Sequence, residues 1–368
     1  MTKLPKQLLG NTGLEVSLLG MGGFHQCEVA SDVVAEVADE FISLGGNYFE
    51  TARSYGCGGS ESKIGRAIAG RRKELVLASK TTQRNSEGVW RELNETLEEL
   101  QTDYLDLYFM HNVFTQEDIR AITASDGALK AFTRAKDEGL IKHLAISTHW
   151  PLRLLEAIDV IPYEAVLIWG NYLDYCNYPE IPNIILPALR ERNIGTLTMK
   201  PLADGYLHNS VDDAFRYALR NNPGCVVSGF NSVEMLRADA AAICRGALDD
   251  DETAKLLQNA PELGDYVCRQ CPKCSVSEGD LLKGLFELEG KFDRQMDDLR
   301  PVNAGTYALR QRLSKWFGNA EHAQDAFLNS NFLDINKENF SPCLYGINIP
   351  RKIKIASAKL SNGKLHKI

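Results

Sequence analysis

The sequence predicts an α/β protein built on a (β/α)8 TIM barrel, with an N-terminal hairpin and a small, mainly helical C-terminal module. Three observations lead to this prediction. Eight short β-rich runs occupy the first two thirds of the chain, amphipathic segments separate them, and the pattern changes near residue 246. Strands that alternate with helices form parallel sheets with right-handed crossovers, and eight such units close most simply into a barrel.

The predicted strands are short apolar or β-branched runs at regular intervals. Their ranges are 16–24, 47–52, 75–81, 104–112, 143–150, 165–172, 195–202 and 225–230. The segments between them repeat apolar residues at helical spacing, as in 89–101, and several end at a glycine such as Gly45 or Gly139. Residues 7–17 predict an extra hairpin that turns at Asn11-Thr12-Gly13 and closes the bottom of the barrel.

Length and composition restrict the class of protein. A chain of 368 residues that is 44% hydrophobic can bury a large core, and a net charge of −8 argues against a nucleic-acid-binding surface as its main feature. The N-terminus has no secretory signal pattern, and no apolar stretch approaches the roughly 18 residues of a membrane span. We therefore expect a cytoplasmic protein without membrane or nucleic-acid partners, whose nine cysteines are reduced thiols and metal ligands.

A change of pattern predicts two domains, a barrel over residues 1–245 and a cysteine-containing extension over residues 246–368. An acidic helix-like connector follows the last predicted strand, and the cysteine run "CRQCPKC" comes after it. Residues 280–342 alternate charged and apolar residues without strand signals, so we expect short helices and loops there.

Four polar residues follow or end successive predicted strands of the barrel. They are Glu50, Tyr55, Lys80 and His111. The active sites of such barrels lie at the C-terminal ends of the strands, so these side chains should meet on one rim. A free phenol has a pKa of about 10, and a nearby ammonium held by a carboxylate would lower that value and allow proton transfer near neutral pH. Each residue alone is more typical of a turn, a solvated charge or a core polar group, but the set predicts a catalytic tetrad.

The stretches "FETARSYGCGGSESKIGRAI", "LASKT" and "DLYFMHN" resemble the aldo-keto reductases over roughly residues 6–245. The resemblance implies hydride transfer between a nicotinamide and a carbonyl, with Tyr55 as general acid, Lys80 tuning it and His111 placing the carbonyl. In the family the first acid is an aspartate, whereas Glu50 stands here with one more methylene.

The same resemblance implies a nicotinamide cofactor, NADP(H) by family habit, although the residues do not exclude NAD(H). The positions that match the cofactor-binding motifs of the family are Ser147, Thr148, Met199, Lys200, Gly229, Asn231, Ser232 and Arg237. The family usually has Ser-Asn at the first pair and Tyr-Ser at the second, so Thr148, Met199 and Lys200 are departures. The turn at 229–232 suits a phosphate at a helix N-terminus, but it is also consistent with a helix-capping turn alone.

The cysteine run places Cys268, Cys271 and Cys274 at intervals of three residues. This spacing matches iron–sulfur sites better than structural zinc sites, which usually pair two C-x2-C units. A branch of the aldo-keto reductases carries a ferredoxin-like extension, and "SPCLYGINIP" resembles the end of such a module. The resemblance predicts one [4Fe–4S] cluster on these three cysteines and Cys343. Zinc on the same sulfurs, or a site that is metal-free or completed by Glu278 or water, remain alternatives.

The leading hypothesis is thus an oxidoreductase that interconverts a carbonyl and an alcohol on a small polar substrate. Two alternatives remain: a lyase or epimerase that uses the same tetrad with transient oxidation, and a nucleotide-sensing interaction protein. The cluster would be structural, or it would relay electrons to a partner protein.

Overall fold

The computed structural model describes residues 3–274, 279–293, 319–332, 335 and 340–361. The chain divides into two compact units. The first, the barrel unit, comprises Met1–Asn171 and Glu180–Asp250, and the second, the C-terminal unit, comprises Tyr172–Pro179 and Asp251–Ile368. The proposed domain boundary between residues 245 and 246 stays a prediction.

The described residues contain two antiparallel strands of a hairpin and eight parallel strands that close into a barrel. The hairpin strands are β1 (Lys6–Leu8) and β2 (Glu15–Ser17). The barrel strands are β3 (Leu19–Gly22), β4 (Tyr48–Glu50), β5 (Val76–Thr81), β6 (Leu105–Met110), β7 (Ile141–Ser147), β8 (Ala165–Trp169), β9 (Gly195–Met199) and β10 (Cys225–Ser228). Each barrel strand pairs with the next along the chain, and β10 closes onto β3. The predicted (β/α)8 TIM barrel is confirmed.

Helices occupy the segments between the strands and most of the described C-terminal unit. In chain order they are α1 (Ser31–Ser43), α2 (Gly59–Ala67), α3 (Ser86–Glu99), α4 (Gln116–Thr123), α5 (Ala128–Asp137), α6 (Arg153–Ala157), α7 (Tyr172–Asn177), α8 (Leu186–Glu191), α9 (Val211–Ala218), α10 (Val233–Arg245), α11 (Asp250–Asn259), α12 (Gly279–Asp293), α13 (Asn319–Leu328) and α14 (Ile349–Leu360). Short 3-10 segments lie at Phe24–Glu28, Arg72–Glu74, Ala203–Gly205, His208–Ser210 and Leu219–Asn221, and a π-helical turn lies at Ile181–Ile185. Gly45 and Gly139 end helices α1 and α5 in left-handed conformations with φ of 90° and 77°.

The hairpin forms as predicted, but it takes part of the first predicted strand. Leu9 and Val16 are buried with the side chains that fill the barrel interior. The run 16–24 is divided because the Ser17 N–H donates to Asn47 Oδ1 at 2.7 Å, and the Asn47 N–H donates back to Ser17 Oγ at 3.1 Å. These two bonds fix the chain between the hairpin and β3, so the barrel strand begins only at Leu19.

The described C-terminal unit is helical and has its own hydrophobic core. Side chains of α12, α13 and α14 form this core, among them Leu285, Phe327 and Ile353. Three cysteines, Cys268, Cys274 and Cys343, pack partly buried against it. Among the helices that the structure describes, none is long and apolar enough to cross a membrane.

Candidate active site

Adjacent strands place the predicted tetrad on one rim of the barrel. Glu50 ends β4, Lys80 lies near the end of β5, and His111 follows β6 directly. Tyr55 lies in the turn between β4 and α2. Because β4, β5 and β6 are parallel neighbours, their C-terminal ends open on the same side.

The Lys80 ammonium connects the tetrad. Its Nζ forms an ion pair with Glu50 Oε1, donates to the Thr51 carbonyl at 2.8 Å and donates to the Tyr55 phenol oxygen at 3.2 Å. Lys80 is 1% exposed and Glu50 is 3% exposed, so the pair is held away from water. The extra methylene of Glu50, compared with the aspartate of the family pattern, does not prevent the carboxylate–ammonium contact.

The His111 imidazole lies beside the phenol. The ring centroids of Tyr55 and His111 are 5.6 Å apart in an edge-to-face arrangement. The His111 N–H of the backbone donates to the Thr81 carbonyl at 2.8 Å, and Arg84 donates to the His111 carbonyl at 2.8 Å. Hydrogen bonds at both the N–H and the carbonyl of His111 thus fix the backbone from which the imidazole extends. The structure therefore brings all four predicted residues together.

Burial decides the protonation of these groups. It raises the pKa of Tyr55 well above its usual range, and the charges of Glu50 and Cys27 add to the effect. Burial lowers the pKa of His111 well below its usual range, assisted by the positive charge of Lys80 and then by His149 and Arg84. At neutral pH the site thus holds a protonated phenol and an uncharged imidazole, which are two neutral hydrogen-bond donors.

From the sequence, the ammonium is predicted to lower the pKa of the phenol, but in the structure that pKa is raised. Burial lowers the pKa of Lys80 and raises that of Glu50, while each charge opposes the change in its partner. Glu50 therefore offsets the charge of Lys80, and the cost of burying a phenolate prevails at Tyr55.

The two residues after β7 differ in what their hydroxyl groups can still do. Ser147 Oγ accepts the Asn112 N–H at 3.0 Å and keeps its own proton for another acceptor. Thr148 Oγ1 has carbonyl acceptors at Val113 (2.7 Å) and Trp150 (3.1 Å), and it accepts the Trp150 N–H at 2.8 Å. The Thr148 hydroxyl is thus used by the local backbone, which favours Ser147 as the polar contact for a ligand.

Beyond β9, the predicted pair Met199 and Lys200 lies at the rim. Met199 ends the strand, and Lys200 takes a left-handed backbone conformation with φ of 55°. Its ammonium forms an ion pair with Asp204, four residues further along the chain. Asn171, buried after β8, donates to the Lys200 carbonyl at 2.9 Å and so connects two neighbouring strand ends.

The turn after β10 leads into helix α10. Ser232 is the N-cap of that helix, and its Oγ accepts the Met235 N–H at 3.2 Å. Gly229 has no room for a side chain, because a Cβ atom there would lie 2.4 Å from His25 Cδ2. Asn231 is half-exposed between them. Arg237 is paired with Glu40 of α1 at 2.8 Å, so a ligand phosphate would have to compete with that carboxylate.

Further residues of the rim, which lie near the tetrad, are not predicted from the sequence. The Phe24 ring meets the Tyr55 ring edge-to-face at 5.2 Å, and Ser54 Oγ lies 3.3 Å from His111 Nδ1. His149 stacks on the buried Trp169 at 5.8 Å and donates its backbone N–H to Asn112 Oδ1 at 3.1 Å. These residues follow strands β3, β4, β7 and β6, so applying the strand-end rule to every strand would have found them.

Burial and neighbouring thiols raise the pKa of two cysteines of the C-terminal unit, Cys268 and Cys274. Negative charge on Cys274 or Cys271 raises the pKa of Cys268, and Cys271 and Cys343 do the same to Cys274, in each case after the larger effect of burial. Burial raises the pKa of Cys268 to about 11. The Cys343 sulfur accepts the Tyr345 N–H at 3.4 Å. Cys343 is therefore near the run of three, although it comes 69 positions after Cys274 in the sequence.

Within the described ranges, which omit Glu278, no group of three or more histidine, cysteine, aspartate or glutamate side chains is arranged to hold a metal ion. The four thiols supply the donor chemistry of an iron–sulfur or zinc site, and the N–H donor at Cys343 suits a thiolate. Their sulfur atoms are not assembled into a coordination sphere. The four thiols therefore match an iron–sulfur or zinc site in their chemistry and in their proximity. The present positions of their sulfur atoms do not match such a site.

Sequence comparisons match the barrel part of the chain to known oxidoreductases. The family model "Aldo/keto reductase family" matches residues 18–217. An uncharacterized oxidoreductase of Bacillus subtilis is 28% identical over 229 residues, which cover 59% of this chain and 71% of the relative. L-galactose dehydrogenase of Arabidopsis thaliana is 30% identical over 224 residues, 56% of this chain and 68% of the relative.

Solved structures share the fold. An aldo-keto reductase from Klebsiella pneumoniae in complex with NADPH superimposes with a TM-score of 0.59 at 22% identity, covering 70% of this chain and 94% of that one. A putative aldo-keto reductase from Pseudomonas aeruginosa gives a TM-score of 0.57 at 23% identity, covering 66% and 96%. Since the family model spans more than half of the sequence, the chain belongs to the aldo/keto reductase family of oxidoreductases.

Proposed function

We propose that this protein is an NADP(H)-dependent oxidoreductase that interconverts a carbonyl and an alcohol on a small polar substrate. One observation carries the proposal: the Tyr55 phenol oxygen lies 3.2 Å from an ammonium that a buried carboxylate holds, next to an uncharged imidazole. This arrangement suits proton transfer to an oxygen atom that gains charge during reduction.

The tetrad residues have separate tasks in the proposed reaction. A nicotinamide, when bound, would supply the hydride chemistry at the carbonyl carbon. Tyr55 donates its proton to the carbonyl oxygen, and Lys80 stabilises the negative charge that the phenol oxygen then carries. His111, uncharged, donates a hydrogen bond that orients the carbonyl before transfer. Glu50 keeps the ammonium in place through the ion pair.

The choice of NADP(H) is supported by relatives. An aldo-keto reductase of Schizosaccharomyces pombe that is 28% identical carries NADP(+) in its name, and the Klebsiella pneumoniae structure contains NADPH. The turn at Gly229, Asn231 and Ser232 would receive the phosphates and Ser147 the carboxamide. Thr148, Met199, Lys200 and Arg237 remain predicted cofactor contacts whose present partners are protein groups.

Tyr55→Phe tests the catalytic role. The variant removes the proton donor and keeps the ring that packs between Phe24 and His111. We expect kcat to fall by about 100-fold or more, the usual contribution of general acid catalysis, while NADPH still quenches or shifts protein fluorescence with a similar Kd. Tyr104→Phe is the matched control, because that phenol lies at the opposite end of β6 and its ring packs under Arg72.

Undiminished turnover in Tyr55→Phe would overturn the proposal. Net consumption of NADPH in proportion to substrate distinguishes a reductase from an epimerase or lyase, in which the cofactor returns to its starting state. NADPH binding without turnover on a panel of small polar aldehydes, ketones and alcohols would instead favour the nucleotide-sensing alternative.

For the C-terminal unit we propose one [4Fe–4S] cluster held by Cys268, Cys271, Cys274 and Cys343. Two observations support it: neighbouring thiols of the set raise the pKa of Cys268 and Cys274, and the Tyr345 N–H donates to the Cys343 sulfur. A cluster would require the thiols to lose their protons and the sulfurs to converge, which couples binding to local ordering. Such a group would either stabilise the unit or supply single-electron transfer to a partner protein.

Anaerobic purification followed by iron, acid-labile sulfide and zinc analysis tests the cluster. We expect about four iron atoms per chain in the wild type and fewer in Cys343→Ser. Cys244→Ser, in the barrel unit, is the control and should keep the wild-type iron content. Zinc in place of iron, or no metal in freshly purified protein, would each overturn the proposed cluster. Equal iron in Cys343→Ser and wild type would remove Cys343 from the ligand set.

A further inference from the structure

The segment Gly23–Val29, which follows β3, lies between the catalytic phenol and the turn after β10. On one side the Phe24 ring packs edge-to-face on Tyr55 at 5.2 Å. On the other side Gln26 Nε2 donates to the Phe230 carbonyl at 2.8 Å. The His25 ring fills the space above the missing side chain of Gly229. One short segment thus contacts both halves of the proposed reaction site.

Helix α2 holds this segment at its start and along its second half. Ser60 Oγ donates to the Gly23 carbonyl at 2.7 Å. One turn further, the Lys63 ammonium donates to the carbonyls of Gln26 at 3.1 Å, Cys27 at 3.1 Å and Val29 at 2.6 Å. An ammonium has three N–H groups, so these contacts use all of them on one loop.

We propose that Lys63 is a positioning residue that sets the Gly23–Val29 segment, and thereby places both the phenol of Tyr55 and the nucleotide turn at Gly229 and Phe230. The inference rests on the proposed function, in which Tyr55 takes part in reduction and the turn at Gly229 and Phe230 binds the cofactor.

The need for a cation follows from the geometry of the loop. Three carbonyl oxygens point at one place, and their partial negative charges repel one another unless a positive group lies between them. A lysine supplies that charge from a rigid helix, and charge-assisted hydrogen bonds are stronger than neutral ones. The Gln26 side chain is fully buried, so the segment has little freedom to move without breaking its bond to Phe230. Loss of the ammonium should therefore be felt at both ends of the segment.

Lys63→Met is the first test, since methionine keeps the length of the side chain and removes its charge and donors. We expect the Kd for NADPH, measured by fluorescence, to rise about tenfold, and kcat at saturating NADPH to fall several-fold. Lys63→Arg should restore most of both losses, because a guanidinium also donates to several carbonyls. Lys73→Met, on the exposed 3-10 segment Arg72–Glu74, is the control for loss of one positive charge and should match wild type.

Two further variants separate the ends of the segment. Gln26→Leu removes the bond to the Phe230 carbonyl, so its larger effect should fall on the Kd for NADPH. Phe24→Leu removes the ring against Tyr55, so its larger effect should fall on kcat and on the pH at which kcat declines. Lys63→Met should combine both effects.

A purely structural role for Lys63 would lower the thermal midpoint and leave Kd and kcat unchanged at temperatures where the variant is folded. That result would overturn the inference. So would equal defects in Lys63→Met and Lys63→Arg. Failure of the proposed function has a different signature: Tyr55→Phe keeps its turnover, or wild type does not bind NADPH.

Discussion

The barrel unit and the C-terminal unit each place a tyrosine in contact with a buried lysine and a buried glutamate. In the barrel these are Tyr55, Lys80 and Glu50. In the C-terminal unit the Tyr266 phenol donates to Glu289 and accepts from Lys359, while Lys352 pairs with Glu289 and lies 3.7 Å above the Tyr266 ring. The same three residue types therefore occur in two different settings.

The settings differ in what surrounds the phenol. The Tyr266 oxygen lies among groups from two packed helices, with Glu289 and Asp293 on α12 and Lys359 on α14. Burial and these two carboxylates raise its pKa and keep it protonated. Tyr55 lies in a turn at the strand ends, beside the imidazole of His111. Residue type alone therefore does not distinguish the two sets, and the acid–base role proposed for Tyr55 depends on its position at the barrel rim.

Removing the ammonium of the barrel set should have the largest effect on activity. In Lys80→Met the phenol loses its cationic partner, so we expect kcat to fall by at least about 100-fold. Glu50 is then left as a buried charge without its ion pair, which should lower the free energy of unfolding of the barrel by about 3–5 kcal/mol. Steady-state kinetics and denaturant unfolding followed by tryptophan fluorescence measure the two effects.

The double variant Glu50→Gln/Lys80→Met separates these effects. Replacing the carboxylate by an amide removes the unpaired buried charge, so stability should return toward wild type while activity stays low. Recovery of activity in the double variant would contradict the role assigned to Lys80.

The equivalent change in the C-terminal unit should affect stability and spare the chemistry. Lys352 and Glu289 form a buried pair, with side chains that are 5% and 1% exposed. In Lys352→Met, Lys359 is the remaining ammonium that contacts Glu289. We expect the free energy of opening of this unit to fall by about 3 kcal/mol. Hydrogen exchange of amides in α12 and α14 measures that loss.

The kinetic constants of Lys352→Met for a carbonyl substrate should remain within about twofold of wild type, because Tyr266 and its neighbours take no part in the proposed reaction. Lys354→Met, on the exposed side of α14, is the control for the change of charge. A loss of kcat as large as that of Lys80→Met would break the distinction between the two sets.

The sequence predicts the barrel, its hairpin and the meeting of the tetrad because these depend on short-range periodicity and on the closure of parallel strands. It does not predict where contacts between distant residues override the local pattern. Ser17 and Asn47 divide the first predicted strand, and Tyr172–Pro179, which continues an apolar run, belongs to the C-terminal unit. The hydrogen bonds from Lys63 to the Gly23–Val29 segment cannot be predicted from the sequence either, because the three carbonyls converge only after folding.

The pKa of Tyr55 shows a second kind of limit. The sequence identifies the ammonium and its carboxylate, but the degree of burial decides which of their effects prevails at the phenol. Likewise, Thr148 matches a ligand-binding position in the sequence, but in the fold its hydroxyl group is hydrogen-bonded to backbone groups of Val113 and Trp150. The described contacts, and not the residue types, determine these outcomes.

Asp239, unlike Glu50 and Glu289, is a buried carboxylate without an ion pair to a lysine or arginine among the described residues. It lies on α10 and accepts a hydrogen bond from Ser228 Oγ at 2.7 Å. Burial raises its pKa to about 7. The folded protein thus binds this proton more tightly than the unfolded chain, so Asp239 makes stability fall as pH rises between about 4 and 7.

Asp239→Asn should remove this dependence, because the amide has the shape of the carboxyl group and no charge. We expect the variant to gain about 2 kcal/mol relative to wild type at pH 8 and much less at pH 5, where Asp239 is already protonated. Denaturant midpoints at the two pH values, followed by tryptophan fluorescence, measure the difference. Asp212→Asn, whose exposed carboxylate pairs with Arg245, is the control and should show no gain at pH 8. An equal gain at both pH values would mean that packing, and not the buried charge, limits stability at this position.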